Sequence, residues 1–266
     1  MGKTSFVLNL ASNIAKPKHN ELANDPSQRW DEPGVGCAIF SLEMPREQLA
    51  NRLVCAEARV DVSKMRTGFL GPTDWNKLTM AASALGNLPI WIDDSSGLSL
   101  LELRSKVRRI QAEYDQRDES GKKIRKLGCV IIDYLQLMKG RDGVTSREQE
   151  ISEISRGLKG LAKELELPVI ALSQLNRAVE TRSDKSKRPM ISDLRESGAI
   201  EQDADNIIFI YRDDYYNPET PEQGVAELIV AKQRNGPTGT VKVRFDKQWT
   251  RFDNLAEGEF EDDPGG

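Results

Sequence analysis

Met1-Gly2-Lys3-Thr4-Ser5 is the stretch on which the fold turns. A phosphate-binding loop reads G-x-x-x-x-G-K-(S/T) and leads from a strand into a helix whose first amides cradle phosphate. Gly2, Lys3 and Thr4 supply the closing G-K-T, and Ser5 follows as the next helical position. Only Met1 precedes them, so the first glycine, most of the spacer and the strand that feeds the loop are absent from this sequence. A lone G-K-T also fits an ordinary helix start. The choice between the two depends on the residues further along.

The chain has 266 residues, enough for one large domain with a sizeable core. Charged residues make up 30% of it, yet the net charge is only −4, which excludes a uniformly basic nucleic-acid-binding domain. Any contact with DNA or RNA must be local. No apolar run approaches the ~18 residues of a membrane span. The start lacks a basic segment followed by an apolar one, so no secretory signal is expected. Cys37, Cys55 and Cys129 sit among apolar neighbours, as buried free thiols of a reducing cytoplasm would. His19 is the sole histidine, so a structural zinc site is not expected.

Outward from the opening stretch, Phe6, Val7, Leu10 and Ile14 recur at helical spacing. Lys16 to Gly36 is polar and rich in breakers, and reads as a long surface loop. Cys37 to Leu42 is a short apolar run, a buried strand, and Pro45 opens a helix. Thr73 to Leu85 reads as a helix capped by Thr73. Pro89 to Ile92 reads as a strand, Leu100 to about Asp118 as a charged helix, and Glu119 to Lys123 as an exposed turn. The β-branched run Cys129 to Ile132 predicts a strand covered on both faces. Ile151, Ile154, Leu158, Leu161 and Leu165 form a helical stripe. Val169 to Leu172, Ile207 to Ile210 and Glu227 to Ala231 read as further strands. Val241 to Phe245 and Trp249 to Phe252 read as a closing antiparallel hairpin. Residues 1 to 256 thus form one domain, and the acidic 257 to 266 a disordered tail. Alternating strands and helices predict an α/β fold: a mostly parallel, twisted sheet with helices on both faces.

In such sheets ligands sit beyond the carboxyl ends of the strands, and polar residues gather there. Glu43 follows the first strand, where a carboxylate could orient a water aimed at a γ-phosphate; the alternative is a solvated loop glutamate. Asp133 ends the run Val130-Ile131-Ile132, the pattern by which an apolar strand delivers one carboxylate to Mg2+. Gln174 ends Val169 to Leu172, where it could sense a terminal phosphate or simply be a polar strand end. Lys232 and Arg234 precede the turn Gly236-Pro237. They are either a solvated hairpin pair or cations presented to phosphate on a neighbouring subunit.

The order of these features, G-K-T, Glu43, Asp133, Gln174 and then Lys-x-Arg, is similar to that of RecA-like P-loop NTPase motors. The local wording narrows the resemblance. Phe40-Ser41-Leu42-Glu43-Met44-Pro45, Ile131-Ile132-Asp133-Tyr134-Leu135-Gln136-Leu137-Met138 and Ala171-Leu172-Ser173-Gln174-Leu175-Asn176-Arg177 carry it. So do Asp193-Leu194-Arg195-Glu196-Ser197-Gly198-Ala199-Ile200-Glu201-Gln202-Asp203-Ala204-Asp205 and Lys232-Gln233-Arg234-Asn235-Gly236. Together they closely resemble the motor domain of the DnaB family of bacterial replicative helicases, over nearly the whole chain.

The resemblance implies an ATP-dependent DNA helicase, a cytoplasmic homo-hexamer that translocates on single-stranded DNA and works with a primase and a helicase loader. Gly2, Lys3, Thr4 and Ser5 would serve ATP, and Thr4 and Asp133 its Mg2+. Glu43 would be the catalytic base and Gln174 the phosphate sensor. Lys232 and Arg234 would act on the next subunit's ATP. Arg195, Glu196 and Gly198 would lie in the loop that holds DNA. Arg195 can pair with phosphate and Gly198 lets backbone amides approach it, whereas Glu196 would contribute its amide or position Arg195. A second basic segment, Arg177 to Arg188, reads as a DNA-facing loop or, preferably, a plain surface loop.

The family's N-terminal domain, its linker helix and the front of the phosphate loop have no counterpart in this sequence. A phosphate-facing hydrogen bond to a charged group contributes roughly 1.5–3 kcal/mol. Loss of two or three would weaken ATP binding about a hundredfold or more, and this polypeptide alone is expected to hydrolyse ATP poorly. Two other functions fit the sequence: a RecA-like ATPase of recombination or signalling, and a catalytically weak fragment serving assembly or binding.

Overall fold

The computed structural model describes residues 2–19, 31–32, 34–117, 119, 121, 123–141, 143, 146–176, 179, 182, 187–194 and 198–255. Its six longer or better-packed helices are α1 (Lys3–Ala15), α2 (Arg46–Ala58), α3 (Val62–Thr67), α4 (Pro72–Gly86), α5 (Leu100–Tyr114) and α6 (Arg147–Leu165). The strands are β1 (Lys18–His19), β2 (Asp31–Glu32), β3 (Gly36–Ser41), β4 (Ile90–Asp93), β5 (Gln116–Arg117), β6 (Lys123–Arg125), β7 (Leu127–Asp133), β8 (Val169–Ala171), β9 (Asn206–Tyr211), β10 (Val225–Gln233), β11 (Gly239–Asp246) and β12 (Arg251–Asp253).

A four-stranded parallel sheet runs β4-β3-β7-β8. The bodies of its central strands are apolar because both faces are covered, with Ser41 and Asp133 at their ends, and their alternation shows which residue faces which layer. Ala38, Phe40, Val130 and Ile132 pack with Leu103, Val107 and Ile110 of α5 and with Ile151, Ile154, Leu158 and Leu161 of α6. Cys37, Ile39, Cys129 and Ile131 pack on the other face with Val7, Leu8 and Ala11 of α1 and Leu49 and Leu53 of α2. The three cysteines are buried free thiols, as expected.

The antiparallel part is larger than the closing hairpin expected from sequence. β9 to β12 form a second four-stranded sheet in the order β12-β11-β10-β9. It meets α1 through β12, where Phe6 and Phe252 pack edge to face at 5.4 Å. Thr73 is not the cap of α4: Gly71 is, and Pro72 opens the helix, since its fixed φ suits a first helical position. Ser99 does cap α5, in a capping box with Glu102. That helix ends at Tyr114, and Lys123, expected in the turn 119–123, instead opens β6, which pairs with β5. The polar stretch 16–36 carries the β1–β2 ribbon at its ends; its middle, like the tail 257–266, lies outside the described residues. Among those described, no helix is long and apolar enough to cross a membrane.

Candidate nucleotide site

Asp133, Glu43 and Gln174 come together because β3, β7 and β8 are adjacent and parallel. Ser41 is in register with Asp133, and the Leu42 amide donates to the Asp133 carbonyl at 2.7 Å. On the other side, the Leu135 amide donates to Leu172 O at 2.9 Å. Three neighbouring parallel strands therefore lead to Glu43, Asp133 and Gln174 at the same end of the sheet. The Ser41 hydroxyl donates to the Met44 carbonyl at 2.7 Å and accepts from its amide at 3.2 Å. This closes the turn that carries exposed Glu43.

α1 arrives at the same edge. Gly2 caps it with φ 101°, left-handed backbone that favours glycine, and an added Cβ would stand 3.3 Å from the Phe252 ring. The first-turn amides of α1 have no partner within the helix and make its N-terminus receptive to anions. Thr4 Oγ1 donates to Asp133 Oδ2 at 2.7 Å. Lys3 Nζ donates to the Ser173 carbonyl at 2.7 Å, next to Gln174. Ser5 is buried in the first turn.

The electrostatics reflect the burial of Asp133 and the partial burial of Lys3. Burial pushes the Lys3 ammonium below its ordinary pKa, against the pull of the Asp133 and Glu43 carboxylates. Burial likewise raises the Asp133 carboxyl, while Thr4, Lys3 and Arg52 hold it down. Two residues that the sequence did not single out complete the site. Gln136 donates to Ser173 Oγ at 2.8 Å, and its Oε1 accepts the Gln174 amide at 3.3 Å. Arg52 adds a positive charge near Asp133. Only the polar character of Gln136 just after Asp133 hinted at its part.

Lys232 and Arg234 are not bonded to this cluster. A bulge in β10 between Val230 and Lys232 precedes them. Lys232 Nζ donates to the Glu201 carbonyl, and Arg234 pairs with Asp205 at 3.0 Å. Gly198 opens a short helix, Gly198–Asp203, while Arg195 and Glu196 lie outside the described residues. In the second basic segment, Arg182 pairs with Asp193, and Arg188 grips Glu227 with two nitrogens. Lys187 stands over the Tyr216 ring. These three cations are engaged within the fold; most of the segment, Arg177 and Lys185 included, lies outside the described residues.

Comparison with known proteins gives concordant matches. Residues 1–254 match the family model of the DnaB-like helicase C terminal domain. The replicative DNA helicase DnaB of Geobacillus stearothermophilus is 50% identical over 256 residues, covering 96% of this chain and 50% of that protein. The replicative DNA helicase DnaC of Bacillus subtilis (strain 168) is 50% identical over 263 residues, covering 98% and 52%. Among solved structures, one described as an ATPase domain superposes with a TM-score of 0.80 at 40% identity, covering 96% of this chain and 81% of that one. A DnaB-like replicative helicase, described with its interactions with primase, gives 0.82 at 40% identity, covering 96% and 55%. The chain spans about half the length of the curated relatives it matches.

Proposed function

We propose, because this chain belongs to the DnaB-like helicase C-terminal domain family, that it is the ATP-hydrolysing motor of a ring that unwinds duplex DNA in the bacterial cytoplasm. The observation that carries this reading is the hydrogen bond from Thr4 to Asp133, with Lys3 beside it, which joins the opening stretch to the carboxyl end of β7.

In this reading Lys3 and the first-turn amides of α1 bind the phosphates of ATP. Thr4 and Asp133 suit Mg2+: a hydroxyl and a single carboxylate, hard oxygens one hydrogen bond apart, match an ion held chiefly by phosphates and water. Among the described residues there is no cage of three or more His, Cys, Asp or Glu side chains. When bound, the ion neutralises charge that builds on the phosphates. Glu43 accepts the proton of the attacking water. Gln174, anchored through Gln136, bonds the terminal phosphate and reports its loss. Lys232 and Arg234 lie apart from their own pocket and serve the next subunit's ATP in a homo-hexamer. Arg195, Glu196 and Gly198 hold single-stranded DNA through its backbone. Primase and a helicase loader are the expected partners; one relative's structure is described with primase.

The test is ATP hydrolysis and strand displacement on forked DNA, with Lys3→Ala as control. The motor reading expects both activities, slow in this chain and lost in the control. Hydrolysis without displacement would favour a recombination or signalling ATPase. Equal nucleotide affinity in the two proteins would favour an assembly module.

A further inference from the structure

We propose that Asp205 is the positioning residue that aims Arg234 at the neighbouring subunit's ATP. This rests on the across-interface role given to Arg234 above. Asp205 takes hold of Arg234 at two points. Its carbonyl accepts the Arg234 amide at 3.0 Å, and its Oδ1 pairs with the guanidinium at 3.0 Å. Its other oxygen, Oδ2, binds Lys159 of α6. The carboxylate is thus fixed from behind by a core helix and grips the arginine in front.

Stability does not explain the arrangement. The side chains of Arg234 and Asp205 are 55% and 45% exposed, and exposed pairs add little to stability. What the pair does is restrict a long side chain that otherwise samples many rotamers. A guanidinium has five N–H donors in a rigid fork, so one held edge leaves others directed outward. Lys232, tied to the end of the short helix at Glu201, is held beside it by the same segment. An arginine that must meet a phosphate across an interface gains from such pre-orientation.

The test is steady-state hydrolysis of radiolabelled ATP, which resolves the slow rate expected of the 266-residue chain, with Asp205→Asn, Arg234→Ala and Lys3→Ala, each alone and in equimolar mixtures. Asp205→Asn is expected to lower kcat about tenfold, part of the ~10³–10⁵ that a trans-acting arginine supplies, with KM for ATP within about threefold. Mixing it with Lys3→Ala should raise the rate above the mean of the two, because the Lys3→Ala subunit brings an intact Asp205–Arg234 pair to its neighbour's pocket. Where Asp205→Asn does not fold, Lys159→Gln serves, with the same pattern at smaller amplitude. A wild-type rate for Asp205→Asn beside a slow Arg234→Ala overturns the inference and leaves the motor intact. A slow Asp205→Asn that mixing does not restore marks a tie within the fold and also overturns it. An Arg234→Ala as fast as wild type removes the across-interface role itself.

Discussion

Lys3 and Asp133 are ions of opposite sign whose charged forms burial disfavours, and each partly relieves the other. For Asp133 burial wins, so its carboxyl titrates above its unfolded value of 3.8. The native chain then binds that proton more tightly than the unfolded chain does. Between the two values stability falls as pH rises, and above both the penalty is fully present. Asp133→Asn is therefore expected to raise the melting temperature of the nucleotide-free chain at pH 7, by an amount that shrinks as pH falls toward 3.8. Thermal melts across pH check this; a lower melting temperature for the variant at neutral pH would contradict it. Such a cost is typical of a residue kept for function rather than for stability. Glu43 is different, being exposed on its turn. Glu43→Gln is expected to lower kcat by about 10²–10⁴, the span of general-base catalysis, while calorimetry shows nucleotide affinity unchanged.

At the scale of elements, α6 packs its stripe on one face of the parallel sheet, and Leu158, 5% exposed, lies in the middle of it. Leu158→Ala is expected to cost about 2–5 kcal/mol, read as a lower denaturant midpoint at unchanged slope; a shift too small to resolve would show that the stripe is not core. This helix and strands β3 and β7 were legible in the sequence because one local pattern dictates each. A 3.6-residue stripe points to α6, and continuous apolar runs point to the strands covered on both sides. The start of α4 was misread because Thr73 has a capping side chain, yet Pro72 just before it already fits the helix. The second sheet was only partly legible. Ile207 to Ile210 and Glu227 to Ala231 read as strands, but their antiparallel pairing depends on hydrogen bonds between distant segments, which no local pattern encodes. Gln136 escaped notice for a related reason: its importance comes from meeting Ser173 and Gln174, 37 and 38 residues away.

For the whole molecule, the decisive fact is that polar residues far apart in sequence meet at one sheet edge. Thr4 and Asp133 are 129 positions apart and share a hydrogen bond; Lys3 reaches Ser173 across 170. The sequence singles out Lys3, Thr4, Glu43, Asp133 and Gln174 but not how they meet. Only the strand order β3-β7-β8 shows how, with Asp133 between the strands that carry Glu43 and Gln174. Lys232 and Arg234 form a separate cluster with Asp205 and Glu201, and this division suits a ring in which each protomer supplies both a pocket and a cation to different ATP molecules. The pocket itself is tested most directly by calorimetric titration of MgATP into the wild-type chain and Lys3→Ala. Saturable binding that weakens at least about tenfold in the variant is expected from the loss of one charge-assisted contact. Equal affinities, or no binding to the wild-type chain, would contradict the convergence of these residues on one nucleotide.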